Sequence, residues 1–225
     1  MQIVLLEFEG VLAETTPHRV AALREALLVD GLSLDDDTWT EHCLGLPVDA
    51  AVTAARHALG APDDLVAAEV CRLRVERGFS QRISRGLLMQ PGGLALVQAL
   101  RTQARLALVT RASRRDVDFV LTLAGLADTF TCVVTADDKT DGKPSPAPYT
   151  LALEKLSRTA PVVLADALAF EDARPGIRAA RAAGVRTVAV GPLPLHHAME
   201  ADAFFPTLAG LSFDEMRALI SGGPP

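Results

Sequence analysis

The chain has 225 residues, of which 49% are hydrophobic and 22% charged, so it can bury a sizeable core and is not composed like a disordered protein. Its formal net charge of −6, with no Lys/Arg-rich block, argues against nucleic acid or an anionic membrane as the main partner. Cys43, Cys71 and Cys132 stand far apart and outside the spacings of a disulfide framework or a zinc site, which fits a reducing cytoplasm.

The first predicted element is a strand in the apolar run QIVLL. This run has only about five residues against the roughly 18 needed to span a bilayer, so it indicates neither a secretory nor a membrane segment. Glu7 and Glu9 follow the run and precede Gly10. Residues two apart on a strand point to the same face, so both carboxylates would project together where the strand ends. Neighbouring carboxylates repel each other, and a divalent cation is the usual compensation; two solvated side chains are the plainer alternative.

The next segment, from about Thr15 to Arg85, contains helical patterns and no convincing strand. The patterns are HRVAALREALLVD, VDAAVTAARHALG and DDLVAAEVCRLRVERGF, with loops between them. An insertion of this size directly after the first strand predicts a small helical cap domain, residues 15–85, seated over the strand ends of a core formed by residues 1–14 and 86–225.

The rest of the chain alternates between short apolar strands and helices. The predicted strands are RLALVT, TCVVTA, ALAF and RTVAVG, and helical patterns that start with Ser or Pro, or stop at Gly, lie between them. This alternation predicts an α/β fold with a doubly wound parallel sheet. Ligands bind such sheets at the carboxyl ends of the strands, so the polar residues at those ends are the candidates for function.

Donors suited to a phosphate group follow two of these strands. Thr110, Arg111 and Ser113 come directly after the second strand and supply hydroxyl and guanidinium groups. After the third strand, Lys143 lies between a glycine and a proline, ahead of a helix that begins near Pro146. A lysine there can neutralise both acidic groups and a substrate phosphate.

Two further carboxylates, Glu171 and Asp172, end the fourth strand just before a helix. Asp166 is a competing acid in the preceding segment. Each polar residue has a plainer interpretation when taken singly, such as a helix cap for Thr110 or Asp172. Those interpretations leave unexplained why all of them fall at the carboxyl ends of successive strands.

These motifs resemble the haloacid dehalogenase-like superfamily, and within it the β-phosphoglucomutase-like phosphatases and phosphomutases with a helical cap. The resemblance covers nearly the whole chain. The first family motif, DxDGxLxDT, corresponds to EFEGVLAET, and Thr110 in LALVTRAS matches the second. Lys143 in GKPSPAPY and the acidic pair in EDARPGIRAARAAG match the third and fourth. The fourth-motif acid precedes an Ile by five residues, a spacing that Asp172 has to Ile177 and Asp166 lacks.

The resemblance implies a mechanism and a cofactor. The first acid attacks phosphorus, and the second protonates the leaving group and then activates water. Carried over, Glu7 occupies the nucleophile position and Glu9 the acid/base position, while Thr110 and Lys143 hold the phosphoryl group. The implied cofactor is Mg²⁺, held by Glu7, by the backbone carbonyl of Glu9 and by the fourth-motif acids Glu171 and Asp172.

The first motif departs from the family because all three of its acids are glutamates, at Glu7, Glu9 and Glu14. Each keeps the charge but shifts the carboxylate by about 1.5 Å, the length of one C–C bond. A nucleophile misplaced by about 1 Å already loses on the order of 100-fold in rate, because in-line attack depends on its position. Metal binding is more tolerant, because it needs oxygen ligands and not one direction of attack. A phosphatase or phosphomutase and a catalytically degenerate binding or regulatory module therefore both stay open. Dehalogenation without a metal is disfavoured by Glu171, Asp172 and the GKP loop.

The cap segment contains two candidate substrate contacts, His18 at its entry and Gly45 in the LGLP loop. The expected partner is a small phosphorylated metabolite whose identity depends on such cap side chains. We expect a cytoplasmic monomer or weak homodimer.

Overall fold

The computed structural model describes residues 3–44, 46–212, 214–215 and 218. It divides the chain into two compact units, one formed by Met1–Glu14 with Met89–Pro225 and the other by Thr15–Leu88. We call them the core unit and the helical unit. The inserted unit ends at Leu88, where the sequence predicted an end at Arg85. In the described part of the chain, no helix combines the length and the apolar character that crossing a membrane requires.

The core unit is built on a six-stranded parallel sheet. Its strands are β1 (Ile3–Leu6), β2 (Arg105–Val109), β3 (Cys132–Val134), β4 (Ala167–Glu171), β5 (Arg186–Val190) and β6 (Ala203–Phe205). The strand order is β3-β2-β1-β4-β5-β6, and every neighbouring pair is parallel. The predicted doubly wound α/β sheet is therefore confirmed, with β6 as a strand that the sequence analysis did not predict.

The helical unit contains four helices and a π-helical turn among its described residues. They are α1 (Thr16–Val29), the single turn α2 (Asp36–Thr38), the π-helical turn Trp39–Cys43, α3 (Val48–Ala58) and α4 (Leu65–Arg85). Two helices have an aspartate as the N-cap, a residue favoured at that position. Asp35 accepts a hydrogen bond from the Thr38 amide, and Asp64 accepts one from the Val66 amide. Helix α1 packs against α4, with Leu23 and Phe79 fully buried.

Among the described residues of the core unit, the helices bounded at both ends are α5 (Gly93–Leu100), α6 (Arg114–Leu123), α7 (Ala147–Ser157), α8 (Arg174–Ala182) and α9 (Leu195–Ala198). Ile3 and Leu5 of β1 pack in one cluster with Tyr149 and Ala152 of α7 and with residues of α8. The intervening residues of β1 are equally buried, so both faces of this strand are covered.

The strand order fixes where a ligand site is expected. From β1 the chain adds β2 and β3 on one side and then β4, β5 and β6 on the other. The order therefore reverses between β1 and β4, and the crevice outside the carboxyl ends of two such strands is the usual ligand position in open α/β sheets.

Candidate active site

Glu7 and Glu171 come together at this reversal point. Strands β1 and β4 are in register with Leu6 opposite Phe170, so the residue after β1 faces the last residue of β4. The Glu7 amide donates to the Phe170 carbonyl at an N···O distance of 3.0 Å, which continues the ladder by one residue. Both side chains are buried, so their charges must be met inside the protein.

Lys143 supplies the opposite charge. Its ammonium group donates to Glu7 Oε2, to Glu171 Oε1 at 2.5 Å and to the carbonyl oxygen of Val109 at 2.8 Å. Burial acts to lower the pKa of Lys143, but Glu171 and Glu7 together raise it above its ordinary value. The lysine is therefore a buried cation shared by two carboxylates, in the GKP loop as predicted. The peptide bond that follows it, Lys143–Pro144, is cis.

The second oxygen of Glu7 is also bonded. Glu7 Oε1 accepts a hydrogen bond from the amide of Phe8 at 2.7 Å. The longer side chain of a glutamate reaches back to the amide of the next residue while its other oxygen meets Lys143. Each oxygen of the predicted nucleophile thus has a donor.

Tyr149 completes this cluster and was missed by the sequence analysis. It is the single tyrosine of the chain and lies in α7, where it reads as one more apolar core position. Its hydroxyl donates to Glu171 Oε1 at 2.5 Å, and the Lys143 ammonium lies 5.3 Å from its ring centroid. Burial and the adjacent Glu171 raise the pKa of Tyr149 well above its ordinary value, so the hydroxyl stays a donor. A tyrosine at a buried helix position usually needs a hydrogen-bond partner for its hydroxyl, and this need could have pointed to Tyr149 in the sequence.

The described side chains around Lys143 carry more acid than base. Burial raises the pKa of Glu171, with Lys143 opposing the rise and Glu7 adding to it. Burial also raises the pKa of Asp172 well above its usual range, and Glu171, Glu7 and Glu9 all contribute. The four predicted metal-binding acids are thus near enough to influence one another electrostatically.

Two glycines let the backbone approach these acids. Gly10 has a positive φ of 75°, and a Cβ atom there would collide with the Asp172 carboxyl group. Gly176, in the first turn of α8, lies against the Glu171 carboxyl group in the same way. These close contacts explain the glycines in EFEG and in EDARPG by packing.

No three Asp, Glu, His or Cys side chains are gathered closely enough to hold a metal ion in the part of the chain that the structure describes. Glu7 and Glu171 are instead bonded to Lys143. A carboxylate set is nevertheless the chemistry that Mg²⁺ prefers, and the surplus of acids over the one lysine is compatible with an added cation.

The three residues after β2 that were predicted to hold phosphate differ in how close their contacts come to Lys143. Thr110 is buried beside the Val109 carbonyl that Lys143 contacts, and its hydroxyl accepts from the Ala112 amide at 3.2 Å. Ser113 caps helix α6 by accepting from the Asp116 amide, and Arg111 is exposed. Among the described residues, no hydrogen bond joins Arg111 or Ser113 to the Lys143 cluster.

The remaining candidates are located as follows. Asp166 lies in a short turn before β4, at the amino end of that strand, whereas Asp172 follows its carboxyl end. His18 lies in α1, and its buried Nε2 atom has no hydrogen-bond partner among the described residues. Gly45 lies outside the described residues, so its predicted role stays a prediction.

Comparison with known proteins identifies the family of this chain. The sequence profile of the haloacid dehalogenase-like hydrolases matches residues 4–190, from β1 through β5. The chain belongs to the haloacid dehalogenase-like hydrolase family. The predicted resemblance is thereby confirmed, while the assignment of the acids, the lysine and the threonine to the family's motif positions stays a prediction.

Relatives within the family include phosphatases. A phosphorylated carbohydrates phosphatase from Thermotoga maritima is 28% identical over 189 residues, which is 84% of each chain. A phosphoglycolate phosphatase from Pectobacterium atrosepticum is 28% identical over 81% of this chain and 76% of its own. Among solved structures, CbbY from Rhodobacter sphaeroides in complex with phosphate has a TM-score of 0.80 at 26% identity, covering 94% of this chain and 96% of that one. A β-phosphoglucomutase from Clostridium difficile has a TM-score of 0.82 at 17% identity, covering 98% and 97%, and shares the fold.

Proposed function

We propose that the chain is a phosphatase or phosphomutase that acts on a small phosphorylated metabolite by transferring the phosphoryl group to Glu7. The observation that carries the proposal is Lys143, a buried cation joined to Glu7 and Glu171 at the reversal point of the sheet. The phosphatase relatives support the same substrate class.

In the proposed reaction, a Glu7 carboxylate oxygen attacks phosphorus and the ester oxygen leaves with a proton from Glu9. Water then attacks the acyl phosphate on Glu7 and gives its proton to Glu9, which releases orthophosphate and restores both acids. Lys143 and Thr110 hold the phosphoryl group in line for attack.

Mg²⁺ belongs to this proposal as the cofactor. When bound, it offsets the negative charge of the phosphoryl group; the carboxylates of Glu7, Glu171 and Asp172 and the backbone carbonyl of Glu9 would hold it. Their oxygens fit a hard cation, and burial together with the neighbouring acids Glu171 and Glu7 raises the pKa of Asp172. Arg111, Ser113, His18 and Gly45 stay proposed substrate contacts.

A second function is favoured by the geometry of Glu7. Both of its oxygens have donors in place, and its extra methylene shifts the carboxylate by about 1.5 Å from an aspartate's position. A shift of that size costs on the order of 100-fold or more in rate. The alternative is therefore a degenerate member of the family that binds phosphate or metal without turnover.

One assay separates the two functions. Hydrolysis of an aryl phosphate with MgCl₂ is compared between the wild type, Glu7→Gln, Glu7→Asp and the Glu7→Asp/Glu9→Asp double variant. The enzyme proposal expects turnover by the wild type and none by Glu7→Gln. Activity confined to the aspartate variants favours the degenerate function with an intact pocket. If no folded variant is active, the phosphatase proposal and the roles given to Thr110 and Lys143 are wrong.

A further inference from the structure

The ammonium group of Lys143 has no donor left for a substrate. A lysine has three N–H bonds, and the acceptors around this one are Glu7 Oε2, Glu171 Oε1 and the Val109 carbonyl. The Lys143 side chain is only 3% exposed, so none of its N–H bonds is left to water, from which a substrate could take it over. A phosphate group can therefore bind Lys143 only by replacing one of these acceptors.

The Glu7 carboxylate that meets the lysine also occupies a backbone amide. Phe8 N–H donates to Glu7 Oε1 while Glu7 Oε2 contacts Lys143, so one carboxylate spans the two donors. We call Phe8 N–H and Lys143 Nζ the anion cradle. A backbone amide beside a lysine ammonium is the donor set that also suits a phosphate oxygen.

We infer that Glu7 is an internal anion that fills the anion cradle, and that a phosphate group has to displace its carboxylate in order to bind. The inference rests on the proposed function, which places phosphate at this edge of the sheet. An aspartate would be about 1.5 Å shorter, so we expect it to fill the cradle less well from the same backbone position.

Glu7 is the acceptor that can leave. Glu171 is the last residue of β4, 1% exposed, held by Tyr149 and packed against Gly176. Val109 contributes a main-chain carbonyl within β2. Glu7 lies just beyond β1 and retains 7% exposure, so its side chain is less enclosed than that of Glu171.

Binding of inorganic phosphate, measured by titration calorimetry at one fixed MgCl₂ concentration, tests the inference. The proteins are the wild type, Glu7→Ala, Glu7→Asp and the control Glu14→Asp. The control shortens a glutamate of the same motif by the same methylene, but Glu14 bonds Gln90 and does not touch the cradle. We expect Glu7→Ala to bind phosphate at least about tenfold tighter than the wild type, Glu7→Asp to gain affinity in the same direction, and Glu14→Asp to match the wild type.

Equal affinity in the wild type and Glu7→Ala overturns the inference, and so does an absence of phosphate binding in every folded variant. Circular dichroism melting checks folding, and Glu7→Gln, which keeps the side-chain volume without the charge, replaces Glu7→Ala if the latter does not fold. The aryl phosphate assay reports on the proposed function separately. Tighter phosphate binding by Glu7→Ala with no turnover in any protein supports the inference and refutes the enzyme; turnover with unchanged phosphate affinity does the reverse.

Discussion

Helix α8 borders two ion clusters of opposite composition. At its first turn, Gly176 packs against Glu171, which shares the cation Lys143 with Glu7. From the same helix, Arg174 and Arg178 share one anion, Glu200. The three side chains of the first cluster are at most 9% exposed, whereas those of the second are 26% to 51% exposed.

The two clusters differ in how strongly the stability of the fold depends on them. Exposed pairs gain little because water and salt already solvate and screen the separate charges. Buried charges cannot be left unpaired, because removing one partner leaves the other in a poorly solvated site. We therefore expect the Lys143 cluster to respond strongly to substitution and the Glu200 cluster to respond weakly.

We expect Lys143→Met to lower stability more than any other variant, because it removes the cation of the buried cluster. Methionine is of similar length but leaves Glu7 and Glu171 without their cation. The free energy of unfolding should fall by about 3 kcal/mol or more, as measured by urea denaturation. Arg178→Met is the matched exposed variant, and its unfolding curve should nearly overlay that of the wild type. Comparable losses in the two variants would contradict the distinction.

A second variant tests how closely the buried cluster is packed. Gly176→Ala places a methyl group against the Glu171 carboxyl group, which Lys143 and Tyr149 hold in position. We expect a loss of about 2 kcal/mol in urea denaturation from overpacking, despite the better helix propensity of alanine.

Gly78→Ala in α4 is the control for Gly176→Ala. A Cβ atom at Gly78 would approach Ala22 Cβ only to 3.3 Å, so the helix propensity of alanine should offset most or all of the contact. The pair fails as evidence for tight packing if Gly176→Ala is as stable as Gly78→Ala.

Tyr149→Phe has a smaller expected effect because it removes one hydroxyl and leaves the ion pairs. Glu171 Oε1 would lose one of its two donors, Tyr149, while Lys143 remains. A buried hydrogen bond to a charged group predicts a loss of about 1.5 kcal/mol in the free energy of unfolding. Thr122→Val removes an exposed hydroxyl that donates to the Asp118 carbonyl and should change stability far less. A null result for Tyr149→Phe would mean that Lys143 alone holds Glu171.

The smallest expected effect concerns the exposed cluster and its dependence on pH. Hydrogen bonds from Arg178 and Arg174 lower the pKa of Glu200 from 4.5 to about 2. A carboxyl group whose pKa is lower in the folded state stabilises the fold above its unfolded pKa, and that contribution is lost as the pH falls from about 4.5 towards 2. Thermal midpoints of the wild type should therefore converge on those of Glu200→Gln over this range, and added salt should shrink the difference at higher pH. Parallel midpoint curves would show that Glu200 contributes nothing.

Much of the core fold could be predicted because its strands are short runs of buried apolar residues, as in IVLL and RLALV. The last strand was missed because Ala203–Phe205 is only three residues long and half-buried, which is too short for a pattern. The helical turns at Asp36–Cys43 were missed because their aspartates and Trp39 resemble a loop, although Asp35 is a good helix cap.

The candidate site could be predicted as a set of residue types and not as a set of bonds. Parallel strands bring their carboxyl ends to one edge, so Glu7, Lys143 and Glu171 could be grouped from their positions after strands. Which acceptors Lys143 uses depends on side-chain length and rotamer, and these are decided by packing. Tyr149 escaped notice for the same reason, because a helix pattern does not reveal where its hydroxyl points.

The chain leaves the core unit after Glu14 and returns to it at Met89. The residues on the two sides of this insertion bond to one another within the core unit. Ala13 forms an antiparallel bridge with Met89, the Gln90 amide donates to the Leu12 carbonyl, and the Gln90 side chain donates to Glu14. The core unit therefore holds the two ends of the segment Thr15–Leu88 side by side. The entropy cost of closing a loop rises only with the logarithm of its length, so the length of this insert adds little to that cost. We expect the core unit to accept a different insert, or a short glycine linker, in place of this segment. The path of the core chain on either side of the junction would not have to change.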